Sequence, residues 1–325
     1  MSIAIFDNPP TGQPDSVSTP IGTPVDGNVL DNDSDPNPGD ELTVESVNGQ
    51  PISTPVTTAE GGMVVMNPDG SFSYTPPTGF QGTDSFTYEA CDEGGNCFTE
   101  TATIEIRNAT VGVAKNSAWH RDSDELTLTF SFEHLGNVPA LNLSLLEDLD
   151  AVLGTGAYVI NSSQLTSGPD TISIHEDYDG SANTELIAAG SSLLPGQTAT
   201  ITVEVQITRI EDPQDNGLGF YTNQVTLNSE DSTGFVYRDL SVDGTNVDPD
   251  GDGDPLNNDG SSNGDLNPDA TVGIAKNVSA NADNLSVTMD FIIEHFGNTR
   301  ATEISLIDNL DAVFGAGQYL SLIHI

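Results

Sequence analysis

The sequence predicts an all-β protein built from several domains in series. Three observations carry that reading: apolar and polar residues alternate along many stretches, no segment has a helical period, and a long internal repeat recurs at a fixed spacing. At 325 residues the chain is too long for one small barrel or sandwich. Apolar residues make up 35% and glycine adds 32 positions, an ordinary level for a chain that folds around packed cores.

Residues 1–7 read as a linker or truncated start, because MSIAIFDNPP has neither a basic region nor a long apolar one. Residues 8–107 form a unit of their own. Within it, Met63 to Met66, the turn Asn67-Pro68-Asp69-Gly70, then Phe72 and Tyr74 predict strand, turn, strand; proline presets φ and glycine supplies the positive φ the turn requires. A second hairpin runs from Phe86, Tyr88 and Ala90 through a turn at Asp92–Asn96 to Phe98, Ala102, Ile104 and Ile106. Pairing Ala90 with Phe98 sets Cys91 opposite Cys97, at a spacing a disulfide bridges without distortion. Two cysteines cannot make a four-ligand zinc site by themselves, so a bridge is expected rather than two free thiols, and with it an oxidising compartment.

The repeat begins at ATVGVAKN, residues 109–116, and returns as ATVGIAKN at 270–277, a shift of 161 that holds ungapped through EHLGN/EHFGN to LDAVLGTGAY/LDAVFGAGQY. In copy one, residues 108–247, Leu126, Leu128, Phe130 and Phe132 alternate with Thr127, Thr129 and Ser131, which predicts a half-buried strand. Copy two, residues 269–319, has Val287, Met289, Phe291 and Ile293 at those places: identities change while the face stays apolar. Further strands are expected at 141–146, 199–207 and 224–228. Copy two stops about a third of the way through the repeat and is expected to be incomplete. The final LSLIHI is what a common transposon mosaic-end adapter encodes in frame, so Leu320–Ile325 are expected to be read-through. Between the copies, residues 248–268 hold few apolar residues and read as an acidic linker.

Fifty Asp and Glu against 7 Lys and Arg leave a net charge of −43. Such a field repels phosphates, which excludes nucleic acid and anionic membrane surfaces as partners and invites cations. No apolar run is long enough to cross a bilayer as a helix, so no membrane insertion is expected of this segment.

Two acidic clusters could serve those cations. Asp248, Asp250, Asp252, Gly253 and Asp254 match the first half of a calcium loop, with Asp259 where the bidentate ligand would fall. Calcium takes six to eight oxygens, which alternate carboxylates supply from one tight loop; the alternative is a solvated acidic linker, since Pro249 and Pro255 interrupt the flanking helices of such sites. Asp31, Asp33, Asp35 and Asp40 crowd one turn, where either a cation or Asx turns to the local backbone would relieve their repulsion. Gly260-Ser261-Ser262-Asn263-Gly264 fits a nucleophile-elbow pattern but sits in the polar linker and not between strand and helix. Glu133-His134 and Glu294-His295 read as strand-end turns, and His120 and His175 have no evident partners. No catalytic constellation and no nucleotide-binding loop emerges, so the chain is expected not to be an enzyme.

Two resemblances rest on these residues. NPPTGQPDSVSTPIGTPVDGNVLDNDSDPNPGDELTV, continued by GSFSYTPPTGFQGTDSFTYEACDEGGNC, resembles the bacterial Ig-like, cadherin-like repeat of large surface proteins. VGVAKN, FEHLGNVPALNLSLLEDLDAV and DGTNVDPDGDGDP resemble the conserved tandem repeat of unknown function found in bacterial adhesin-like surface proteins. Together they imply tandem Ig-like β-sandwiches joined by acidic linkers, in a structural or adhesive segment at the cell surface or outside the cell. Its partners would be neighbouring repeats and an unidentified protein or glycan ligand, with Ca²⁺ at the junctions. The competing expectation is an accessory part of a secreted enzyme such as a polysaccharide hydrolase. Trp119, the only tryptophan, has Ala280 as its counterpart in copy two, which argues against a repeated sugar platform.

Overall fold

The computed structural model describes residues 7–52, 54–120, 123–211, 213–214, 219–258, 260, 262–266, 272–281, 286–295, 304, 306–314 and 316. Two sandwiches with separate cores follow one another along the chain. The protein is all-β, with tandem Ig-like sandwiches as the architecture.

The first sandwich contains β1 (Asp15–Pro20), β2 (Val25–Asn28), β3 (Thr43–Val47), β4 (Gln50–Pro51), β5 (Val56–Thr57), β6 (Met63–Met66), β7 (Ser71–Thr75), β8 (Gly82–Cys91) and β9 (Cys97–Arg107). One sheet has the order β1-β9-β8-β3-β4 and the other β2-β7-β6-β5, with β1 parallel to β9. The hairpin register sets Ala90 opposite Phe98. Alternation sends Phe72, Tyr74, Phe86, Tyr88, Ile104 and Ile106 into the core while Met63 and Val65 stay outside. Asp84 lies in the same inward phase as Phe86 and is buried with them. It accepts from Tyr74 Oη (2.7 Å), Glu60 N (2.9 Å), Ser85 N (2.7 Å) and the Thr58 hydroxyl. Burial pushes its carboxyl up, but these donors outweigh burial and hold it below the usual range.

Only three residues separate the sandwiches, and Asn108, Ala109 and Thr110 are all buried. Arg107 Nη1 pairs with Asp231 (3.2 Å) and donates to Thr233 Oγ1 (3.1 Å), while the Arg107 carbonyl accepts from Ile21 N (2.8 Å) and Tyr237 Oη (3.1 Å). Asn137 accepts from Asn108 N (2.7 Å) and donates to Ile106 O (2.9 Å), and Gln81 Nε2 reaches Leu135 O (3.0 Å).

The second sandwich contains β10 (Val111–His120), β11 (Glu125–His134), β12 (Leu141–Leu146), a helical turn α1 (Leu149–Leu153), β13 (Tyr158–Ser167), β14 (Thr198–Ile207), β15 (Phe220–Asn223), β16 (Thr226–Glu230), β17 (Val236–Leu240), β18 (Val242–Asp243) and β19 (Ser262–Asp265). Its large sheet runs β13-β14-β11-β10-β18, faced by β12-β16-β17 and the pair β15-β19. The row Leu126, Leu128, Phe130, Phe132 meets Ile201, Val203 and Val205 in one core. In copy two, β20 (Val272–Asn281) and β21 (Ser286–His295) form a hairpin in the β10–β11 register, Val272 opposite His295 as Val111 is opposite His134. Its Val287 and Ile293 are exposed. No described helix is long and apolar enough to cross a membrane.

Within 248–268, read from the sequence as a linker, several described residues dock on the second sandwich. The segment's few apolar residues are spaced to dock: Val247 and Pro255 are buried, β19 pairs with β15, and Leu266 enters the core. A handful of anchors is enough to fix a polar segment when strand pairing satisfies its backbone. Leu320–Ile325 lie outside the described residues.

Candidate metal centre

The acidic loop leaves β18, crosses the surface and ends in a single 3₁₀ turn at Pro255–Asn257. Both ends are pinned. A Cβ on Gly112 of β10 would come within 2.9 Å of Pro255 Cβ and 3.0 Å of Val247 Cβ, so glycine there is what lets the loop sit directly on the strand.

Between those anchors the alternating carboxylates turn inward. One oxygen each from Asp248, Asp250 and Asp252 lie within 4.8 Å of one another. Asp248 accepts from Gly251 N (3.0 Å) and Gly253 N (2.9 Å), and Asp252 accepts from Asp254 N (2.8 Å) and Asn257 Nδ2 (2.8 Å). Gly251 and Gly253 have φ of 73° and 83°, the left-handed turns that wrap the chain around its own side chains. Burial pushes the Asp248 carboxyl up, but the Gly253 amide, Asp250 and the amides of Gly251 and Asp252 outweigh it and hold it low. Asn258 Nδ2 stands 3.4 Å from both Asp248 Oδ1 and Asp250 Oδ1, where a donor answers the gathered negative charge. Turning that amide end over end would present Oδ1 to the same point. Three carboxylates and an amide oxygen are the hard donors that Ca²⁺ takes, so the residues fit the ion. Asp254 is not among them: its Oδ1 accepts from Leu256 N (3.0 Å) and caps the turn. Asp259 lies outside the described residues.

The first-domain cluster behaves differently. Asp33 accepts from Gln13 N (2.8 Å) and Tyr88 Oη (2.8 Å), and Asp35 accepts from Asn37 N (2.6 Å) in an Asx turn. Among the described residues, Asp31, Asp33, Asp35 and Asp40 form no group of convergent ligands. Asp35 is aimed at its own turn and Asp33 at Gln13 and Tyr88, so the cluster's carboxylates do not share one centre. The acid that joins Asp33 near Tyr88 is Asp15, pushed up to about 6 by burial foremost, with the Asp33 charge adding to it.

Cys91 and Cys97 are opposite in register and joined by a disulfide. His134, at the end of β11, is buried; Nε2 donates to Val138 O (2.8 Å) and Nδ1 accepts from Gly136 N (3.0 Å), which fixes its neutral tautomer and shapes the turn. Glu133 is on the same strand, and the side chain of His295 lies outside the described residues. His120 Nε2 meets Thr127 Oγ1 (3.2 Å), and His175 Nδ1 meets Asn183 Nδ2 (3.0 Å). Ser262 opens β19, so the elbow-like pattern runs into a strand and not a helix.

With the two-sheet layout, the Tyr88–Asp33 contact and the cross-strand disulfide in place, comparison with known proteins is direct. Residues 7–107 match the family model described as a bacterial Ig domain. Over those residues the first sandwich is similar to a bacterial Ig-like repeat. Beyond this repeat, similar solved structures include the D312A form of BcpA, the major pilin subunit of Bacillus cereus, at 6% identity over 88% of this chain and 84% of the pilin, with TM-score 0.35. The human desmocollin-1 ectodomain is 11% identical over 73% of this chain, with TM-score 0.27, and a protocadherin gammaB7 EC3-6 structure is 15% identical over 72%, with TM-score 0.30. The chain spans 36% and 47% of those two. All three likenesses are too distant to transfer a role. No curated protein matches the chain.

Proposed function

We propose that the chain is a non-catalytic structural segment of a bacterial surface protein, in which Ig-like sandwiches in series form a stiff stalk. The observation that supports this most is the junction. Three buried residues, the Arg107–Asp231 ion pair and the Asn108–Asn137 exchange leave no free linker between the two sandwiches. A spacer needs this property, whereas independently moving modules would be joined by an exposed, polar connection. The acidic loop at Asp248–Asp254 takes Ca²⁺ in this reading and ties the end of the second sandwich to β10. Adhesion to a protein or glycan ligand is the role such a stalk would serve, and the surface or extracellular setting follows from it.

The test is a pulsed electron-spin distance measurement between labels at Ser73→Cys and Ser167→Cys, both exposed positions, one in each sandwich. A stiff stalk predicts a single narrow distance distribution that broadens in Arg107→Ala. A broad distribution in the parent chain overturns the spacer reading and favours accessory modules of a secreted enzyme.

A further inference from the structure

Lys115 is out of place for a structural lysine. It continues the inward phase of Val111 and Val113 on β10, its side chain is wholly buried, and its Nζ contacts Glu147, which is buried just as fully. Asn223, on β15 and also buried, donates from Nδ2 to the other oxygen of that carboxylate at 2.8 Å. The ammonium stands 5.1 Å from the centre of the Phe130 ring, and Tyr178 and Tyr221 are buried in the same core. An isolated buried ion pair is a poor way to stabilise a fold, because well-packed apolar residues of similar volume often do as well or better. Yet a chain with only 7 basic residues places one here, and repeats the choice. At the shift of 161, Lys276, Phe291 and Asp308 replace Lys115, Phe130 and Glu147; Lys276 Nζ bonds Asp308 at 2.8 Å and lies 5.3 Å from the Phe291 ring. Exchange of Glu for Asp keeps the acid while changing its length, which points to retention of the carboxyl chemistry.

One carboxylate therefore holds an amine and a primary carboxamide side by side, away from water. We propose that Lys115 and Asn223 are joined by an intramolecular isopeptide bond, formed without any other enzyme, with Glu147 carrying the proton. In that step a proton passes from Nζ to Glu147, and the neutral amine attacks Cγ of Asn223. The protonated acid polarises the amide, a second proton moves from Nζ through the carboxylate to Nδ2, and the Cγ–Nδ2 bond breaks. Ammonia leaves and takes up the proton first passed to Glu147, departing as ammonium; the Nζ–Cγ amide remains and Glu147 returns to carboxylate, so atoms and charge balance with no oxidant or cofactor. Burial favours the step by pushing the Lys115 amine below its ordinary range, although Glu147 pulls against it. The bond would clamp β10 to β15 across a sequence separation of 108, counting 223 minus 115. It stands independently of the stalk reading.

Intact mass of the full chain, with the Cys91–Cys97 bridge reduced, tests this directly. The expected mass is about 17 Da below that of the sequence, the loss of one ammonia. A branched tryptic peptide should carry both residues, and cleavage after Lys115 should be missing. Lys115→Arg and Glu147→Gln should each restore the full mass, and Asn223→Asp should lose about 18 Da as water instead. The proposal is overturned if the parent chain has its full mass. It is equally overturned by an ammonia loss without the branched peptide, which marks a succinimide, or by a loss that persists in Lys115→Arg. Should a variant not fold, the parent mass and its branched peptide still decide.

Discussion

Leu266 offers the sharpest check on whether the acidic segment belongs to the second sandwich. The leucine is 4% exposed, belongs to the second core and lines a small cavity with Val152, Leu153, Ile207 and Tyr221. Leu266→Ala removes three buried carbons and leaves a cavity, at a cost of about 2–5 kcal/mol in well-packed sites. For a domain of this size that is a fall of roughly 4–20 °C in the midpoint of the second sandwich. The only tryptophan, Trp119, packs against the same core, so its fluorescence reports this sandwich without interference from the first. Thermal and urea unfolding followed at Trp119 should therefore both shift. A tethered linker would give no shift, so a change under about 0.5 kcal/mol, the usual range for a surface substitution, would refute the docking.

Four further outcomes are expected. Gly112→Ala should cost about 1–3 kcal/mol on the Trp119 transition, since its new methyl would crowd Pro255 and Val247. Calcium should raise that transition more than NaCl of equal ionic strength, and Asp250→Asn with Asp252→Asn should remove the difference; equal effects of the two salts would leave no specific site at the loop. Asp15 holds its proton up to about pH 6 when folded but has an ordinary value of 3.8, so the first sandwich loses stability as pH rises between those values. Asp15→Asn should flatten that slope and stabilise the first sandwich above pH 6 in chemical denaturation, with no gain at pH 3.5. Burial lowers the His134 pKa below 6.5, so its contribution is present above 6.5 and is lost as pH falls from there through the lowered folded value; His134→Gln should weaken the acid dependence of the Trp119 transition.

Much of the first repeat is legible from alternation alone. Phe86, Tyr88 and Ala90 share a face, and the two-residue period carries Asp84 inward with them, so its burial could be read from its phase. The same holds for Lys115, in phase with Val111 and Val113 and preserved as Lys276. Polar identity hides such positions, because an inward Asp or Lys resembles a break in the pattern until its partners are known. Asp33 and Asp35 show the converse: closeness in sequence does not make side chains converge when each finds its own backbone donor, Gln13 for one and Asn37 for the other.

By itself the sequence determined the hairpins at 63–74 and 86–106 and the strands at 126–132, 141–146 and 199–207, their buried faces, and the register that sets Cys91 against Cys97, because each depends on a period of two and on local turn chemistry. Only the tertiary structure decided that Glu147 and Asn223 reach Lys115, and that Val247, Pro255 and Leu266 fasten the acidic segment to the second sandwich. Those meetings join strands far apart in the chain. Periodicity says which face a residue takes, and packing two sheets together chooses which distant residue it meets there.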